Sequence, residues 1–186
     1  MEKVALNNVQ LDVLAQSQPT LKPHFYKTVP CDRLPNPPDK KGPVGYIVNT
    51  DPQGMPGRHW LALWTHDNVC EVLDSYALPL ETYETTEPLQ KWLNQHWKYV
   101  VENGKSLQSI YSQSCGDYAL FFLIDRAQKK SMNEFLNRFD KHDYTHNDHV
   151  VGQMLKRLIE KQVGWNRKVE HEQCTTRCCG VRDLLK

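Results

Sequence analysis

Residues 59–74 read His59-Trp60-Leu61-Ala62-Leu63-Trp64-Thr65-His66-Asp67-Asn68-Val69-Cys70-Glu71-Val72-Leu73-Asp74. Two apolar-rich runs flank Asp67-Asn68, a pair suited to a tight turn. The stretch therefore predicts a β-hairpin of His59–His66 with Val69–Asp74. With residues 67 and 68 as the turn, Asp74 faces Leu61, and His59 lies two residues further along. Side chains alternate between the two faces of a strand, which places His59, Leu61 and Asp74 on one face. Diagonal neighbours of this kind lie about 7–8 Å apart at their backbones, within reach of an imidazole and a carboxylate. An aspartate so placed can orient the ring and stabilise its protonated form. Leu63 and Val72 continue the same face, and the central helix of the chain is expected to pack on them.

That helix begins at Cys115. From Cys115 to Ala127 the sequence is apolar almost all round, which belongs in the middle of a domain. A helix start favours a thiolate, and a nearby histidinium favours it further. Gly116 is expected to leave room for a substrate backbone. A thiolate at a helix start facing a His–Asp pair suits acyl transfer, which also needs donors for the developing oxyanion. Backbone amides at the helix start supply one or two. Gln108 and Gln113 are both candidates for a side-chain donor, and spacing does not choose between them. Taken singly, each of these residues is more often structural: a buried cysteine is usually a small hydrophobe. Jointly they fall where one geometry needs all three.

Around this centre the periodicity predicts an α+β domain. Asn8 to Gln16 reads as an amphipathic helix with Val9, Val13 and Leu14 inward. Pro30 to Pro43 is a proline-rich loop, and Val44 to Asn49 a short buried strand. A helix follows the hairpin, with Pro88 in its first turn and a stripe of Leu89, Trp92, Leu93, His96, Trp97 and Val100. Ser106 to Tyr111 reads as a strand. Ser131 and Glu134 form a capping box ahead of Met132, Phe135, Leu136 and Phe139. Asn147 or Asp148 is expected to cap a last helix that turns Val151, Met154, Leu155, Leu158 and Ile159 inward. The domain spans residues 1–162, patterned from about residue 7, and residues 163–186 form a polar tail.

The chain has 186 residues, 39% hydrophobic and 24% charged, with net charge +1. That balance argues against a dedicated nucleic-acid binder, although a local basic patch stays open. The first thirty residues hold no apolar run of the signal-peptide kind, and no apolar stretch is long enough to span a membrane. Reduced thiols, an intracellular setting and a monomer are therefore expected.

Several stretches match a family in order and spacing: Asp32-Arg33-Leu34-Pro35, Tyr46-Ile47-Val48-Asn49-Thr50, Pro56-Gly57-Arg58-His59-Trp60 and Leu73-Asp74-Ser75-Tyr76-Ala77-Leu78-Pro79. Gln108-Ser109 with Ser112, Cys115-Gly116-Asp117-Tyr118 and Asn147-Asp148 complete the set. Over residues 7–162 the chain resembles the adenovirus-type cysteine proteases, and most closely the version encoded by Maverick/Polinton elements and their viral relatives. The resemblance implies an adenain-like, papain-like fold: a central mixed sheet, a buried helix carrying the nucleophile, and flanking helices. It implies Cys115 as nucleophile, His59 as general base, Asp74 as its orienting acid and Gln108, rather than Gln113, as oxyanion donor. Trp60 would line a narrow cleft that accepts glycine-rich sites, and the substrates would be virion precursor proteins cut in the host nucleus or the virion. The adenovirus enzyme has a glutamate where this chain has Asp74. It also takes an activating peptide, disulfide-bonded to a cysteine shortly before the glutamine. Residues 97–107 hold no cysteine, so such an anchor is not expected; the chemistry itself requires no cofactor, and DNA as an activator has no support in the net charge.

His142, His146 and His149, with Asp143 and Asp148, have spacings that could hold a metal, but a polar connection before a helix cap is the plainer reading. His171, Cys174, Cys178 and Cys179 fit no common zinc pattern. Gly180 to Lys186 distantly resembles the start of the activating peptide, and a solvated tail is the plainer reading there too. Two rivals stand beside the virion protease: a protease of ubiquitin or ubiquitin-like modifiers, and a catalytically silent protein-binding domain. The complete set of His59, Asp74, Gln108 and Cys115 speaks against the silent domain.

Overall fold

A computed structural model of the chain describes residues 5–37 and 42–161. In chain order the elements are α1 (Asn8–Ser17), β1 (Phe25–Pro30), β2 (Val44–Asn49), β3 (Trp60–His66), β4 (Val69–Leu73), α2 (Glu87–His96), β5 (Tyr99–Glu102), α3 (Cys115–Ala127), α4 (Met132–Leu136) and α5 (Tyr144–Glu160). The strands make one mixed sheet in sequence order, parallel at β1–β2 and β4–β5 and antiparallel between. The expected architecture, a mixed sheet with a buried helix begun by Cys115 and further helices around it, is what the chain adopts.

The hairpin closes through Asp67, whose φ of 49° is a left-handed turn conformation that aspartate tolerates. Its register is the expected one: Leu63 pairs with Val72 and Ala62 with Leu73. The ladder stops there, so His59 and Asp74 stand just beyond the ends of β3 and β4. They project from the rim of the sheet rather than from its face.

A period of two divides the sheet into two cores. Leu61, Leu63 and Val72 join Tyr46, Leu89, Trp92 and Leu93 under α2. Ile47, Ala62, Trp64 and Leu73 pack on the other side against α3, with α1, α4 and α5 outside it. The expectation that α3 would pack on Leu63 and Val72 is thus corrected: α2 covers that face and α3 the opposite one. The helix needs the larger core, because eleven of its residues, from Cys115 to Asp125, are buried.

Four further differences follow. The apolar stripe of α2 continues by coincidence to Val100, but Trp97 turns extended (φ −126°, ψ 131°) and Val100 pairs with Cys70 in β5. Residues 106–111 form no strand; Leu107 and Gln108 instead give their N–H groups to Ser75 O. The cap of α5 is Asp143, which accepts from His146 N at 2.8 Å. Asn147 ends its first turn and Asp148 begins the next, where they are used differently. The α1 face is also rotated, with Gln10, Leu11, Leu14 and Ala15 innermost and Val9 and Val13 only partly buried. The Ser131–Glu134 capping box forms as read. The tail from residue 163, with its cysteines, lies outside the described residues.

Candidate active site

Beyond the ends of β3 and β4 the side chains of His59 and Asp74 meet. His59 Nε2 lies 2.7 Å from Asp74 Oδ1, and both residues are buried, 5% and 3% exposed. Asp74 is held at all its polar atoms. Oδ1 also accepts from Tyr76 N, while Oδ2 accepts from Leu78 N and from Tyr83 Oη at 2.6 Å. Asn103 clamps its backbone, giving Nδ2–H to Asp74 O and taking Asp74 N–H on Oδ1, both at 2.7 Å. Burial alone would raise this carboxyl, but the bonds from His59, Tyr83 and Tyr76 outweigh it and hold Asp74 below its ordinary range.

The imidazole lies against two phenol rings. Tyr76 stacks on it at 4.8 Å and 25°, and Tyr83 at 5.6 Å and 18°. The thiol of Cys115, at the start of α3, lies close enough to this imidazole to act on its protonation. Burial by itself would push His59 down. The bonds to Asp74 and Cys115 win and raise it to about 9, so the imidazolium is favoured at neutral pH.

Gln108 sits beside this group, 2% exposed. Its Oε1 accepts from Ser75 Oγ at 2.6 Å, and its Nε2 donates to Ser112 O at 2.9 Å and Tyr76 Oη at 3.2 Å. The residues on either side are pinned from α5: Asn147 Nδ2 donates to Leu107 O, and Asp148 Oδ2 accepts from Ser109 N. That is the use of the two residues expected to cap the helix. Gln113 points elsewhere, accepting from Ala5 N on the exposed surface.

A groove of about 800 Å³ opens at Cys115, walled by Trp60, by Leu6 to Asn8 and by the loop of residues 51–58. Trp60 is fixed in its wall by Nε1–H to Leu6 O at 3.0 Å. Gly116 does not line it. A Cβ on Gly116 would come within 3.3 Å of Trp60 Cδ1 and 3.4 Å of Leu6 and Leu11, so the missing side chain makes room for the tryptophan rather than for substrate. No three His, Cys, Asp or Glu side chains gather as metal ligands among the described residues. Asp143 and Asp148 already serve backbone and Tyr118 donors.

Residue reading missed Tyr83, Asn103 and the work of Tyr76 and Ser75. Asn103 carries no local signal of its role, because its partner Asp74 lies 29 residues away. Tyr76 stood within a quoted stretch without a role.

No family model matches the sequence, and no curated protein matches it either. Solved structures do. Three of them are proteases. An ASFV protease in selenomethionine form has 21% identity over 57% of this chain and 43% of its own, with a TM-score of 0.35. Its unlabelled form gives 19%, 57%, 42% and 0.36. The SUMO protease Ulp1, with its catalytic cysteine oxidised to a sulfinic acid, has 13% identity over 83% of this chain and 79% of its own, with a TM-score of 0.45. This chain spans less than half the length of the ASFV protease. At these identities and scores the likenesses stand beside the site geometry without adding to it.

Proposed function

We propose that the chain is a cysteine endopeptidase with Cys115 as nucleophile, His59 as acid and base, and Asp74 as the carboxylate that orients His59. The observation that carries this is the buried 2.7 Å His59–Asp74 contact, with the thiol of Cys115 at the start of α3 close enough to the same imidazole to raise its basicity. In this mechanism Cys115 Sγ forms a bond to the peptide carbonyl carbon. The carbonyl electrons move to oxygen, and the oxyanion is held by Gln108 Nε2–H and by backbone N–H at the helix start. His59 protonates the departing amine as the C–N bond breaks, then takes a proton from the water that hydrolyses the thioester. No step calls for a metal or a cofactor.

The sequence resemblance extends the reading to substrates. Virion precursor proteins with glycine-containing sites are the proposed targets, with no disulfide-anchored activator and no obligatory DNA. The groove beside Trp60 is consistent with an extended polypeptide. No helix among the described residues is long and apolar enough to cross a membrane.

Alkylation by iodoacetamide at pH 7 is the direct test. Cys115 should react at least tenfold faster than Cys31 and Cys70, which are buried away from the groove. Equal reactivity would sink the catalytic reading. Cleavage-site profiling with a Cys115→Ala control then tests the substrate class: cuts confined to folded ubiquitin-like fusions would replace virion precursors as the targets.

A further inference from the structure

Gln108 has two N–H groups and both are directed. One goes to Ser112 O at 2.9 Å, a backbone acceptor fixed by the chain. The other goes to Tyr76 Oη at 3.2 Å, a longer bond to a neutral oxygen. If Gln108 serves an oxyanion, the second N–H is the one to be shared, so the Tyr76 hydroxyl marks the neighbourhood where that oxygen develops. A phenol can accept from Gln108 and still donate its own proton. Among the described residues that proton is given no acceptor, although Tyr76 is half-buried. The ring is held by its stack on His59, so the hydroxyl is preorganised between the base and Gln108.

On the endopeptidase reading given above, we propose that Tyr76 is a catalytic residue whose hydroxyl donates a second side-chain hydrogen bond to the oxyanion formed when Cys115 attacks. Its proton stays on oxygen throughout: it lends a hydrogen bond as the S–C bond forms and the carbonyl electrons shift, and withdraws it as the C–N bond breaks. The electrostatics agree. Burial, then the nearby Cys115 and the carboxylates of Asp148 and Asp74, raise the phenol above its ordinary value, so it remains a donor across the working pH range. A preorganised donor of this kind acts only in the transition state, because the planar substrate carbonyl has not yet developed its charge.

Tyr76→Phe keeps the ring on His59 and removes only the hydroxyl. Against a peptidyl-Gly-Gly-aminocoumarin it should lower kcat by about 10- to 100-fold, with KM within about twofold. Binding of the matching peptide aldehyde, whose thiohemiacetal oxygen mimics the oxyanion, should weaken by a similar factor. Iodoacetamide alkylation of Cys115 creates no oxyanion, so its rate should stay within about twofold of wild type. Tyr76→Leu, which also removes the ring, should slow alkylation as well. Unchanged or faster turnover in Tyr76→Phe would overturn the proposal. So would alkylation slowed in step with kcat, since the hydroxyl would then act through His59. If wild-type Cys115 shows neither selective alkylation nor peptide cleavage, the endopeptidase reading itself fails, an outcome distinct from an active wild type with an equally active Tyr76→Phe.

Discussion

At the scale of the residue, the site works by setting two groups against their burial. Solvent exclusion opposes charge on both His59 and Asp74, yet each stabilises the other's charged form. The sign of the pH dependence follows. His59 rises from 6.5 unfolded to about 9 folded, so its contribution to stability is complete below about pH 6.5 and is lost as pH climbs through about 9. The Asp74 contribution has the opposite sense, present above its unfolded value of 3.8 and lost as pH falls through its lower folded value. Urea midpoints should therefore fall between pH 6.5 and 9 in wild type. Part of that fall should vanish in Asp74→Asn, which removes one of the two partners that favour the imidazolium; an equal fall in both proteins would assign it to other groups. The same substitution should lower kcat about 10²-fold or more, because an amide cannot hold the ring as its ionised partner does. Tyr83→Phe should be milder, since Asp74 Oδ2 keeps Leu78 N–H.

At the scale of the element, the hairpin and α3 carry the design, and both were legible because their signals are local. Asp67-Asn68 sets the register, and the register brings His59 and Asp74 together; the unbroken apolar run from Tyr118 to Ile124 makes α3 central wherever the sheet lies. The orientation of the sheet was not legible. Both faces of β3 are apolar, so nothing in the run Leu61-Ala62-Leu63-Trp64 says which face α2 or α3 covers. Likewise Val100 continues a helical stripe and also suits a strand, and only the open edge of β4 decides. The energetics of α3 can be tested at Phe122, which is fully buried and meets Phe135 edge-on at 5.5 Å. Phe122→Ala should cost about 3–5 kcal/mol in urea unfolding. Ser131→Ala, which removes the oxygen accepting from Glu134 N, should cost only about 1 kcal/mol. Similar losses at the two positions would mean that α3 is not the packing centre of the domain.

At the scale of the whole molecule, the site lies on the seam between the two cores. Cys115 and Trp60 belong to the α3 side, whereas Asp74 is followed by the turn that leads down to Tyr83 and α2 on the other. The first described residues close the α3 side of this seam. Leu6 is 2% exposed in the α3 core, its carbonyl receives Trp60 Nε1–H, and the neighbouring Ala5 N–H bonds Gln113, two residues before Cys115. One short segment therefore fixes a groove wall and the approach to Cys115. Two variants separate its packing from its hydrogen bond. Leu6→Ala removes the buried side chain but keeps the carbonyl, so it should lose about 2–4 kcal/mol of stability with turnover largely intact at low temperature. Deleting residues 1–6 removes both, and kcat/KM should fall about tenfold further once stability is matched, because Trp60 loses its acceptor and the groove its wall. Alkylation of Cys115 should change little in either variant, since His59 is held from the opposite core. A deletion as active as Leu6→Ala would show that Trp60 keeps its place without the segment, and that packing alone sets the groove.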